Sequence, residues 1–154
     1  MTTPGRPLLV VDDEEPNRDL LSRRLKRAGY EVATASSGPE ALAHLDSHEI
    51  ATVLLDVQMP GMDGLEVLGA IRRRWTDAQL PVLMVTAKVE NHDIVMALER
   101  GASDYITKPV NFQVALARIR AQLARKDAED RLRSSEERYK LAAQGANDGL
   151  WTGT

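Results

Sequence analysis

Three short apolar runs, at residues 8–11, 53–55 and 82–85, are built from Val and Leu with a single Met, and each is bounded by turn residues. None shows polar alternation, so strands made of them must be covered on both faces, as in a parallel sheet flanked by helices. Helical periodicity fills the gaps: Leu21, Leu25 and Ala28 before Gly29, then Ala41, Leu42 and Leu45 after Gly38-Pro39. Leu68, Ile71 and Trp75 follow Gly64, and Ile94, Ala97 and Leu98 precede Gly101. Gly29 and Gly101 stand where a left-handed C-terminal cap is wanted.

Two weaker strands, residues 31–35 and 103–106, complete an α/β pattern of five strands and five helices. Right-handed crossovers with the apolar strands inside favour a parallel sheet of order 2-1-3-4-5, its polar strands at the edges. In such sheets ligands bind beyond the carboxyl ends of the strands, which tells where chemistry is to be sought.

The fifth helix is expected to start after Asn111, a good N-cap, with Leu116, Ile119 and Leu123 at helical spacing. No Gly or Pro interrupts residues 122–140, where charges of both signs leave Ala128, Leu132, Tyr139 and Ala142 as a sparse apolar seam. Such a helix is a solvated linker or one strand of a weak coiled coil. The run Gly145-Ala146-Asn147-Asp148-Gly149 is expected to end it. The boundaries read 1–121 for the domain, 122–143 for the helical linker and 144–154 for the start of something further.

At 154 residues the chain has room for one domain and a short extension. The absence of cysteine removes disulfides, thiolate metal sites and cysteine nucleophiles, and a net charge of -3 offers no positive field to nucleic acid or an anionic membrane. Apolar stretches of four or five residues and an N-terminus without an apolar core argue against a membrane span or signal peptide, leaving a cytoplasmic setting. His44 and His48, four apart on one helix, read as a solvated face rather than a shared metal site.

Asp12 and Asp13 follow the first strand, Asp56 the third, Thr86 ends the fourth, and Lys108 closely follows the fifth. Taken singly each has a plain explanation: helix capping for the paired aspartates, a turn for Asp56, a strand end for Thr86, a solvated loop for Lys108. Together they meet at one sheet edge. Three converging carboxylates repel one another unless a cation sits among them, and a hard, oxygen-rich pocket suits Mg2+. A divalent ion, an ammonium and a hydroxyl around one carboxylate are what phosphoryl transfer to that carboxylate requires, with Asp56 as acceptor.

Residues 6–121 resemble the receiver domains of two-component response regulators, through Val10-Val11-Asp12-Asp13-Glu14, Leu54-Leu55-Asp56-Val57-Gln58-Met59-Pro60-Gly61-Met62-Asp63-Gly64, Val85-Thr86-Ala87 and Gly101-Ala102-Ser103-Asp104-Tyr105-Ile106-Thr107-Lys108-Pro109. The resemblance implies a flavodoxin-like (αβ)5 fold in a bacterial signalling protein. It implies Asp56 as phosphoacceptor, supplied by a sensor histidine kinase or phosphotransfer protein. Asp13, Asp56 and the Gln58 carbonyl would bind Mg2+, with Asp12 holding the ion through water. Lys108 would contact the phosphoryl group, and Thr86 and Tyr105 would form a switch that alters the face of helix four, strand five and helix five. Gln58 and Lys88 would border the phosphoryl group, and the Lys108-Pro109 peptide would be cis. Such a protein phosphorylates its own residue and is not an enzyme in the turnover sense.

Residues 133–151 are similar to the entry helix and first strand of a PAS sensor domain, which would make this chain the front piece of a longer protein, signalling through a homodimer joined by helix five and the linker. Two other readings stay open: a constitutive receiver-shaped dimerisation scaffold, and a phosphohydrolase of the haloacid dehalogenase type. The latter wants its nucleophile in Asp-x-Asp after the first strand, where this chain has Asp12-Asp13.

Overall fold

The computed structural model describes residues 6–87 and 91–149. The order is β1 (Leu8–Val11), α1 (Glu15–Arg27), β2 (Val32–Ala35), α2 (Gly38–Ser47), β3 (Thr52–Asp56), α3 (Gly64–Arg72), β4 (Val82–Thr86), α4 (Asn91–Glu99), β5 (Asp104–Thr107) and α5 (Phe112–Gly149). All strand pairs are parallel, in the order β2-β1-β3-β4-β5. The three apolar runs are the central strands and are buried at every position, whereas β2 and β5 lie at the edges and are only partly covered.

The side-chain period of two sorts each central strand between two cores. Leu9, Val11, Val53, Leu55, Val82 and Met84 pack with Ala41 and Leu45 of α2, Val67, Leu68 and Ile71 of α3, and Ala97 of α4. Leu8, Val10, Leu54, Leu83 and Val85 face the other way, against Leu25 of α1 and Ala115 and Ile119 of α5. With helices on both faces, polar groups are tolerated only at strand ends.

Local signals act where expected. Gly29 and Gly101 sit at φ +103° and +105° just beyond α1 and α4. Asn111 accepts the Val114 N–H at 3.2 Å at the start of α5. Asp63 and Glu66 close a reciprocal capping box on α3.

One boundary differs. Gly145 to Gly149 were expected to end helix five, yet α5 runs through Gly149. A glycine costs about 1 kcal/mol in a helix but does not forbid one, and extending a formed helix needs no new nucleus. Leu150 and Trp151, the last residues of the PAS-like stretch, lie outside the described residues.

Among the described residues no helix is long and apolar enough to cross a membrane.

Candidate functional site

Strand register builds the site. Val11 lies opposite Leu55 and Val85 opposite Asp56, so the residues after β1 and β4 stand beside the end of β3. One carboxylate oxygen from each of Asp12, Asp13 and Asp56 lies within 4.8 Å of the others. Asp12 is 8% exposed and Asp56 only 2%. The Thr86 carbonyl accepts the Lys108 N–H at 2.8 Å, tying the chain after β5 to the end of β4. The Lys108 ammonium then reaches Asp56, with Nζ 3.2 Å from Oδ1. Lys108-Pro109 is cis, as the motif implied.

The plain capping explanation for the paired aspartates does not describe them. Glu14 is the N-cap of α1 and makes no side-chain cap bond. Asp12 Oδ1 accepts the Glu14 N–H at 2.9 Å, and Arg18 donates to the Asp12 carbonyl at 2.8 Å. Burial pushes the Asp12 carboxyl above its ordinary range; the Glu14 N–H and Lys108 oppose this, while the charges of Asp56 and Asp13 reinforce it. Among the described residues one paired ammonium therefore faces three carboxylates. A divalent cation would supply the missing positive charge through hard oxygen donors, so the cluster is compatible with Mg2+.

The loop after β3 is held against the site by backbone. The Gln58 N–H donates to Asp56 Oδ1 at 3.2 Å, and the Gly64 N–H donates to the Val57 carbonyl at 2.8 Å. A Cβ on Gly64 would fall 2.3 Å from the Asp56 carbonyl oxygen and 2.7 Å from Val57 Cα, so only glycine lets α3 begin this close to the strand end.

Thr86 and Tyr105 border a common cavity of about 560 Å3, with Gln58, Met84 and Ala97 also in its wall. Tyr105 lies on edge strand β5, half-buried, with the Arg118 guanidinium 5.0 Å from its ring centre. Lys88 lies outside the described residues. His44 and His48 stack on one another with ring centres 4.3 Å apart, well away from the acidic cluster in the chain.

A model of the response regulator receiver domain matches residues 8–120. The chain belongs to the response regulator receiver family. The chemotaxis protein CheY4 of Vibrio cholerae is 33% identical, with TM-score 0.70, over 77% of this chain and 98% of that one. A putative response regulator from Chloroflexus aurantiacus is 35% identical, with TM-score 0.72 and the same shares. A putative two-component response regulator/GGDEF domain protein is 28% identical, with TM-score 0.76, over 80% of this receiver chain and 51% of its own.

Reading the receiver's sequence alone missed a polar hub at the opposite edge of its sheet. Arg72 donates to the carbonyls of Gly101 and Leu80, both at 2.7 Å, and to those of Trp75 and Thr76 at 3.3 Å. Asp77 accepts from Ser103 and from two Arg125 nitrogens at 3.0 Å, joining the loop before β4 and the start of β5 to α5. Arg72 stands within Arg72-Arg73-Arg74, which reads as a solvated charge run. No local signal separates it from its neighbours.

Proposed function

We propose that this receiver takes a phosphoryl group from a sensor histidine kinase or phosphotransfer protein onto Asp56 and passes the change along α5. The observation that carries the reading is the pairing of Asp56 with Lys108 inside a three-carboxylate cluster. Asp12, Asp13, Asp56 and the Gln58 carbonyl would hold Mg2+, which when bound supplies positive charge to the transferring phosphoryl oxygens.

The chain's own groups do the rest. The Asp56 carboxylate attacks phosphorus, the phosphorus–nitrogen bond to the donor histidine breaks, and the leaving imidazole keeps that electron pair. Lys108 offers its ammonium to the charge gathered beside Asp56. Thr86, its hydroxyl drawn toward the new phosphoryl oxygens, and Tyr105, turning into the cavity they share, form the switch. The modified residue is the protein's own, so the reaction is stoichiometric.

Residues 1–121 form the receiver and 122–143 the linker, with α5 carrying on through Gly149 into a PAS-like segment, 144–154, that leads to an output domain. In the GGDEF relative the matched portion covers about half of its chain, which supports a receiver of this shape being joined to a further domain. The exposed seam of Leu132 and Tyr139 supports homodimerisation through α5 and the linker. This reading places the receiver in the cytoplasm together with its phosphodonor.

The test is intact-mass spectrometry after incubation with acetyl phosphate, with and without Mg2+, on the wild type and Asp56→Asn. One Mg2+-dependent phosphoryl adduct, absent from the variant, is expected. Equal uptake by the variant overturns the assignment. A dimer population that ignores a phosphoryl mimic would favour the constitutive scaffold.

A further inference from the structure

Beyond the Asp77–Arg125 contact, α5 has two unlike sides. One faces the domain: Lys126 pairs with Asp130 at 3.2 Å, and Arg133 and Arg6 reach Asp130 at 2.6 and 3.7 Å. The other side carries a heptad pattern. With Leu132 and Tyr139 at a, the d positions are Ala128, Ser135 and Ala142. Leu132 is 61% exposed and Tyr139 77%, and the three d residues are exposed as well. Arg125, one heptad before Leu132, still turns its a position to Asp77, but from there on Lys126, Asp130 and Arg133 occupy b and f, roughly opposite the seam, and the contact of Arg6 with Asp130 leaves residues 128–142 of the seam uncovered.

The flanking charges carry more information than the seam. The g positions hold Arg131 and Arg138, and the e positions hold Glu129 and Glu136. Among the described residues none of these four is in an ion pair; Arg131 donates only to the Asp127 carbonyl, at 3.4 Å. In a parallel pair of helices each g residue faces the e residue five positions further on, which brings Arg131 of one copy to Glu136 of the other, twice by symmetry. An antiparallel pair sets g against g and e against e, arginine on arginine and glutamate on glutamate.

We propose that a second copy of this chain packs along residues 128–142 as a parallel, in-register coiled coil, with the Arg131–Glu136 pairs setting its direction. This rests on the homodimer reading above and specifies its surface, orientation and register. Two heptads with two alanines and a serine at d make a weak contact, suited to a linker whose association changes with the state of the receiver.

The chain lacks cysteine, so single cysteines report geometry cleanly. Sedimentation of the full chain, with and without Mg2+ and beryllofluoride, measures the dimer. On oxidation, Leu132→Cys and Tyr139→Cys each cross-link to the same position of the second copy, and Ser134→Cys, at an outward c position, does not. Arg131→Glu and Glu136→Arg each weaken the dimer about tenfold, since two modest attractions become repulsions. An equimolar mixture of these two variants regains wild-type affinity, because both cross-pairs are then of opposite sign. A chain that stays monomeric under every condition overturns this proposal and the homodimer reading together. A dimer that cross-links at neither seam position, or that ignores the charge reversals, overturns the parallel seam and leaves the homodimer reading standing.

Discussion

The Lys108 ammonium lies 3.2 Å from Asp56 Oδ1, its side chain 24% exposed and that of Asp56 only 3%. It is the one cation among the described residues paired with the three-carboxylate cluster. Lys108→Met leaves those carboxylates without a counter-charge, and metal-free stability is expected to fall by about 1–3 kcal/mol in urea unfolding with chelator present. The same change removes a charge that repels a divalent ion, so Mg2+ binds more tightly to the variant. Equal metal-free stability in the two proteins would show that Lys108 does not offset the cluster.

A ligand that binds only the folded state stabilises it by mass action, by about 2.7 kcal/mol at a hundredfold excess over its Kd. Mg2+ should therefore raise Tm in a saturable way. In Asp13→Asn the rise should vanish while metal-free stability holds or improves, because one of three mutually repelling carboxylates has gone. Calorimetry across a MgCl2 series checks both, and an undiminished rise in the variant would remove Asp13 from the ion's ligands.

What could be read before the fold was known depended on how far each signal is local. Central strands announce themselves because burial on both faces demands an unbroken apolar run, and the parallel topology then delivers Asp12, Asp56, Thr86 and Lys108 to one edge. Arg72 could not be found this way. Its role consists of carbonyls contributed by residues 75, 76, 80 and 101, which only the closed fold gathers. The end of α5 was misplaced for a related reason: glycine weakens a helix by a finite amount that an established helix can absorb.

Arg125 lies in α5, just past the residues that the receiver model matches, and its guanidinium grips Asp77. Burial acts to raise the Asp77 pKa, but Ser103, Arg125 and Arg72 outweigh it and hold the carboxyl below its ordinary value of 3.8. A carboxylate depressed by folding adds stability that is fully present above its unfolded value and is lost as pH falls through the folded one. The pair is partly exposed, so about 0.5–1 kcal/mol is expected. Asp77→Asn should lose that amount at pH 7, match wild type well below pH 3.8, and speed amide exchange in α5 around residue 125. Unchanged exchange would mean that apolar packing alone holds the helix.

Gly64 and Gly69 both lie in α3 and should respond to alanine in opposite directions. At Gly64 the new Cβ would meet the Asp56 carbonyl oxygen and the Val57 backbone, which cannot withdraw without moving the Asp56 side chain. Gly64→Ala is expected to cost about 2–4 kcal/mol and to reduce phosphoryl uptake from acetyl phosphate. At Gly69 nothing lies within 4 Å of an added Cβ, so Gly69→Ala should gain about 0.5–1 kcal/mol from helix propensity and leave uptake unchanged. Urea midpoints and intact-mass measurements on the two variants separate the effects. If Gly64→Ala matched wild type in both readings, the loop after β3 would have room to move that the Gly64–Asp56 approach denies it.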